Sequence, residues 1–275
     1  MSLAQDIYKT VDKGVEKEKL EGALKESLPA LQEILTQRLG MRTTESQDLR
    51  MSSFGTKCLR KLWYAKHKPE KAEELAPYTR IKFLYGDVVE WLMLFLLSLS
   101  GAKVTGQQST LELEGVKGHR DAIVNGKLID VKSANSRGFE KFRTHSVPSN
   151  DPFGYMDQLG LYLAASKDEV EEKNKASFLA FDKEMGHVVE DTYVFPDKDW
   201  TKEIQTKKTV VDGPNIPDRG HEPIDFQKSG NKQLCVECRY CAWKSECHPD
   251  LRTFLYSSGP IYLTKVVSTP NVQEV

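Results

Sequence analysis

The first fifty residues are charged and polar, and Leu20, Leu24, Leu28, Leu31, Ile34 and Leu35 recur among them at roughly helical spacing. The pattern predicts a helical lead-in, with Pro29 expected to break or kink it. Residues 79–99 predict one long, mostly buried helix with Gly101 as its stop signal. A strand is expected over residues 103–113 and a strand pair over 120–133. An apolar helix should cover 152–165. Two further strands are expected at 177–181 and 188–194, joined near Met185 and Gly186. Residues 212–229, rich in Gly, Pro and Asp, read as a linker, and a cysteine-rich segment, 235–247, follows it. No internal repeat or low-complexity block is present.

Composition narrows the class. With 275 residues the chain can bury a sizeable core, and 39% hydrophobic with 29% charged residues is ordinary for a globular protein. Thirty-nine basic against 40 acidic residues exclude a uniformly basic nucleic-acid binder. They do not exclude local patches, and basic residues gather at 57–82 around Trp63 and Tyr64, at 132–143 and at 228–244. The longest apolar stretch, 88–99, is short for a bilayer and contains Glu90, so no membrane span is expected. The polar N-terminus lacks a secretory pattern. A cytoplasmic, reducing location is therefore expected, with the five cysteines as thiols or metal ligands.

The most informative stretch is 120–132. Asn125-Gly126 between two apolar runs is a strong two-residue hairpin signal. That turn pairs Val124 with Lys127, Ile123 with Leu128, Ala122 with Ile129 and Asp121 with Asp130. Lys132 falls on the face of Asp130. Like charges directly opposed destabilise a sheet, and a divalent cation held by oxygen ligands would compensate them. Lys132 as a neutralising partner on a solvent-facing edge is the plainer alternative. Glu90 stands in an otherwise apolar helix, where a carboxylate is costly unless paired or metal-bound. Gln158 and Tyr162, four residues apart, share a face of the following helix.

Together these residues resemble the PD-(D/E)XK nuclease superfamily, in its RecB-like branch. Gly86-x-x-x-Glu90 is similar to the first motif of that branch. Gly118-x-x-Asp121 and Asp130-x-Lys132 are similar to the strand motifs, and Gln158-x-x-x-Tyr162 to the Q-x-x-x-Y motif. Cys238-x-x-Cys241, Cys247 and the distant Cys58 resemble the four-cysteine frame of CRISPR-associated RecB-like, AddB-type and viral exonucleases. Glu90 stands where the CRISPR-associated members usually carry His, which favours a role in replication, repair or recombination. The likeness covers about residues 57–247.

The resemblance implies an α/β fold with a restriction-endonuclease-like core, a mixed central sheet flanked by helices. Residues 1–50 would be a helical lead-in, 51–211 the nuclease core, and 212–275 the linker, cluster-binding segment and tail. It implies a metal-dependent exonuclease acting on linear or single-stranded DNA. Glu90, Asp121, Asp130 and the Val131 carbonyl would hold Mg²⁺ or Mn²⁺. Lys132 would orient or deprotonate water, and Gln158 and Tyr162 would position the DNA or Lys132. It also implies a 4Fe–4S cluster on Cys58, Cys238, Cys241 and Cys247. Cys235 leaves a zinc set of Cys235, Cys238, Cys241 and Cys247 open. A non-catalytic iron–sulfur DNA-binding module is the alternative function.

Overall fold

The computed structural model describes residues 2–40 and 49–275; Met1 and residues 41–48 of the expected lead-in lie outside the described residues. Helix α1 (Leu3–Lys13) opens with a capping box, in which Ser2 and Gln5 bond to each other's backbone N–H. It buries Leu3, Ala4 and Ile7 beside α5 (Pro77–Ser100), in one cluster with Val89, Met93, Leu94 and Leu97. Burial of Leu3 and Ile7 is worth about 2 kcal/mol each. The lead-in thus supplies part of the core.

Helix α2 (Lys17–Leu39) runs unbroken through Pro29, so of the expected break or kink the break does not occur. Pro29 is exposed, so the carbonyl deprived of its helical N–H can be solvated. The helix has no buried residue and lies against α5, where Trp91 donates to the Ser27 carbonyl at 3.0 Å and Arg38 pairs with Asp87. By length and composition α5 could cross a membrane, with a mean hydropathy of 1.5. Its inner face, however, is spent on the cluster shared with α1 and the sheet. Short helices α3 (Met51–Phe54) and α4 (Leu59–His67) precede it.

The central sheet has five strands in the order β1-β4-β5-β6-β7. These are β1 (Val104–Thr105), β4 (Ala122–Val124), β5 (Lys127–Ala134), β6 (Lys175–Asp182) and β7 (Val188–Val194). Only β5 and β6 are parallel; their crossover carries α6 (Ser136–Arg143) and α7 (Tyr155–Ala165). Period two divides β5 cleanly. Ile129 and Val131 join the α1–α5 cluster, while Leu128 joins Phe139, Phe142, Leu159, Phe178 and Trp200 on the other side. Asp130 and Lys132 share the Leu128 face, toward α7.

The strand expected over 103–113 is two. At Gly106 (φ +60°) the chain turns out of the sheet, and β2 (Thr110–Leu113) pairs with β3 (Val116–His119) as a separate hairpin. The cause is Arg120, buried to 1% exposure beneath that turn. It donates to the Gly106 carbonyl and Ser166 and forms a two-pronged pair with Glu169. Helix α8 (Trp200–Asp212), absent from the sequence reading, covers the α7 side with Trp200 and Ile204. The expected linker contains β8 (Ile224–Phe226). With β9 (Asn231–Gln233), β10 (Arg252–Tyr256) and β11 (Gly259–Lys265) it forms a second sheet around Phe226, Phe254 and Leu263. Two one-turn helices, α9 (Val236–Arg239) and α10 (Lys244–Cys247), carry the cysteines between β9 and β10.

Candidate active site

The β4–β5 hairpin sets the geometry. Asn125 (φ 49°) and Gly126 (φ 77°) both take the left-handed conformation of a type I′ turn, and the pairs 124–127, 123–128 and 122–129 form as the turn requires. The expected ladder pair Asp121–Asp130 does not form: β4 starts at Ala122. Asp121 Oδ2 instead accepts the Val131 N–H at 2.7 Å, taking the ladder's next donor for its side chain. The carboxylate is thereby fixed beside Asp130.

Four charged groups converge there. Lys132 Nζ lies 2.5 Å from Asp130 Oδ2, but off the direction a hydrogen bond requires, so that buried oxygen has no hydrogen-bond partner. Glu90 comes in from α5 and accepts from Gln108 Nε2 at 2.5 Å. Burial pushes Glu90 up to about 7, helped by the charges of Asp130 and Asp87 and opposed by the Gln108 bond and Lys132. Burial, then Glu90 and Asp130, hold Asp121 well above the usual carboxylate range, against the pull of Lys132 and the Val131 N–H. Burial works against the Lys132 charge, but Asp130 and Asp121 outweigh it and raise its pKa. A lysine held charged suits the expected orienting role, whereas the expected deprotonating role needs a lowered pKa.

Helix α7 closes the site. Asp151 accepts from the backbone N–H groups of Tyr155 and Met156 and anchors its first turn. Gln158 Nε2 donates to Tyr162 Oη at 3.1 Å, and burial pushes Tyr162 up to about 12, with Asp130, Asp121 and Lys132 all near enough to contribute. Every expected catalytic side chain is therefore gathered at this site. Three neighbours escaped the sequence reading. The Tyr155 ring lies 4.9 Å from Lys132 Nζ; its signal was available, since Tyr155, Gln158 and Tyr162 are spaced i, i+3, i+7. Gln108 bonds Glu90 and donates its N–H to the Asp121 carbonyl, and nothing in the sequence marks it. Arg120 supports the strand carrying Asp121.

The motif glycines differ. A Cβ on Gly118 would meet Met51 Cβ at 2.7 Å, so close packing explains that glycine. A Cβ on Gly86 would find only Ser133 Oγ at 3.8 Å, which is ordinary contact.

The cysteines form a second centre. Cys58 precedes α4 as its N-cap residue, and Gly220 packs so tightly on it that a Cβ would meet Cys58 Cα at 2.6 Å. Burial raises the Cys238 thiol first, then Cys235, Cys241 and Cys58 beside it. Cys241 is likewise raised by burial and by Cys58 and Cys247, and lowered by Lys61. Arg60 Nη1 lies 3.9 Å from Cys247 Sγ. Cys235 keeps further company: ligand atoms of His221, Cys235 and Glu237 lie within 4.8 Å of one another. Trp243, donating to the Lys68 carbonyl, and Lys244, paired with Glu73, tie this segment to the α4–α5 connection.

A mixed sheet flanked by helices carries an acidic residue on a helix, two aspartates and a lysine on a hairpin, and a Gln–Tyr pair on the crossover helix. This is the α/β arrangement expected of a restriction-endonuclease-like core. No family model and no curated protein matches it. Among solved structures it is similar to SSO0001, at 18% identity and TM-score 0.45, over 79% of this chain and 93% of that one. LHK-Exo, solved in complex with dAMP, aligns at 16% identity and TM-score 0.40, over 66% and 88%. A phage-related exonuclease from Haemophilus somnus 129PT aligns at 16% identity and TM-score 0.31, over 76% and 90%.

Proposed function

We propose that the chain is a nuclease that hydrolyses DNA phosphodiester bonds with the help of Mg²⁺ or Mn²⁺, as an exonuclease in DNA replication, repair or recombination. The observation that carries this reading is the convergence of Glu90, Asp121, Asp130 and Lys132, with a buried Asp130 oxygen lacking a hydrogen-bond partner. Burial and neighbouring carboxylates raise the pKa of Glu90 and Asp121, and a hard divalent cation is the charge such a site lacks. Glu90, Asp121 and Asp130 would hold it, with the backbone at Val131. Once bound, the ion would neutralise phosphate charge and acidify a water.

The protein's own groups do the rest. Asp121 is aimed by the Val131 N–H, and Glu90 by Gln108. Lys132, kept charged by its aspartates and backed by Tyr155, offers a cation to the scissile phosphate and orients the attacking water. Tyr162, steered by Gln158, is a neutral hydroxyl that can hydrogen-bond the phosphate without adding negative charge.

Cys58, Cys238, Cys241 and Cys247 would hold a 4Fe–4S cluster. The neighbouring thiols raise the pKa of Cys238 and Cys241, which suits a shared cation centre, and Lys61 and Arg60 suit the negative charge of a four-thiolate cluster. Cys235 lies beside Cys238 as well as His221 and Glu237, so a zinc set of Cys235, Cys238, Cys241 and Cys247 is the competing reading.

End-labelled linear single-stranded, linear double-stranded and circular DNA incubated with Mg²⁺, Mn²⁺ or chelator tests the reading. Release of nucleotides from linear DNA, dependent on metal, is expected. Intact DNA under every metal condition would refute it.

A further inference from the structure

A row of aromatic rings leads away from Lys132. Its Nζ lies 4.9 Å from the Tyr155 ring centroid; Tyr155 is 5.7 Å from Phe153, and Phe153 is 5.9 Å from Tyr240 at 69°. The row runs outward, since Phe153 is 42% and Tyr240 71% exposed. It joins two centres far apart in sequence, because Tyr240 stands between Cys238 and Cys241 while Tyr155 begins the helix that closes the carboxylate site. Phe153 is fixed between them. Gly154 (φ +73°) and Gly55 approach so closely that a Cβ on either would collide with the other's backbone, which pins the Phe153 loop three residues before Cys58. Beyond Tyr240 lies Tyr262, with Lys244 Nζ 5.0 Å from its ring.

Two exposed rings held rigidly beside the lysine of the carboxylate site have little to gain from packing alone. Aromatic faces next to lysines are what a single strand uses, since each unpaired base offers a free face. In a duplex those faces are covered by neighbouring bases at about 3.4 Å rise. The rings meet tilted at 5.7 Å and edge to face at 5.9 Å, too close for a base to enter between them, so a strand on this row would lay its bases on their outward faces. We infer that Phe153 and Tyr240 form a stacking platform for the unpaired bases of a single-stranded DNA end, guiding it to Lys132. The inference rests on the nuclease reading and specifies its substrate.

Binding of the full chain to fluorescein-labelled oligothymidylate, to an abasic strand of equal length and to a blunt duplex, all in Ca²⁺, tests it, with Mg²⁺ cleavage by the wild type measured alongside. Phe153→Leu and Tyr240→Leu should each weaken oligothymidylate binding about tenfold. Duplex and abasic binding should change less than twofold, and Phe153→Trp should bind as wild type. Phe153→Leu is remote from the cysteine ligands in sequence, and circular dichroism checks that each variant is folded. If the doubly substituted protein binds oligothymidylate like wild type, or if all three DNAs weaken together, the platform is refuted while wild-type cleavage leaves the nuclease reading standing. A wild type that neither cleaves nor binds any of the DNAs refutes both.

Discussion

The carboxylate site and the cysteine centre are built over different distances. Asp121, Asp130 and Lys132 lie within twelve residues, on one hairpin whose turn chemistry dictates which residues meet. Cys58 comes near Cys238 and Cys241, and Cys247 near Cys241, only after some 180 residues of chain have folded back. The first arrangement is local and preformed, and its carboxylates raise the cost of folding without a cation. The second closes a long loop, so it should stabilise the fold when its ligands are joined and should not hold together without them. On the proposed reading, one site is costly to fold without its cation and the other stabilises the fold once its ligands are joined.

The sharpest break in that comparison is chemical. Asp130→Ala or Lys132→Ala should lower DNA cleavage about a thousandfold with the fold retained, as measured on labelled DNA with circular dichroism alongside. Cys58→Ser should act through the fold instead. Losing the closure of so long a loop should cost about 4–5 kcal/mol if a cross-link estimate carries over to a cluster. Visible absorption and thermal midpoint should therefore fall together. Cys235→Ser should leave both unchanged, and the opposite pattern would point to a ligand set built on Cys235.

The local site was largely legible in the sequence. Asn125-Gly126 and the alternation of 127–132 placed Asp130 and Lys132 on one face, and apolar patterning located α5 and α7. The reading failed where long-range packing overrode local signals. Arg120 looks like a surface residue, yet it is buried under Gly106 and splits the expected strand. The hairpin pattern puts Asp121 in the ladder, yet its side chain takes the Val131 N–H and the ladder starts at Ala122. Pro29 carries a break signal that an exposed helix can tolerate. The second sheet has strands of three to seven residues drawn from both sides of the cysteine segment, too short for periodicity to announce them.

A smaller effect sharpens the electrostatic half of the comparison. Glu90 and Asp121 have folded-state pKa values above their ordinary ones, so the folded chain binds more protons than the unfolded one. Metal-free stability should then fall as pH rises from the ordinary carboxylate range through about 7, the value for Glu90. Asp121→Asn, which keeps an acceptor for the Val131 N–H, should flatten that fall. At pH 8 it should raise the metal-free thermal midpoint by a few degrees, corresponding to about 1 kcal/mol. A midpoint unchanged from pH 5 to 8 in the wild type would show that the carboxylates carry no such penalty.

The claim that the hairpin and α5 together make a cation site is tested most directly by calorimetric titration of Mn²⁺ into the wild type and into Asp130→Asn, each freed of metal at the carboxylates. The wild type should bind one or two ions, and Asp130→Asn should bind at least tenfold more weakly. Equal Mn²⁺ affinity in both proteins would contradict the account.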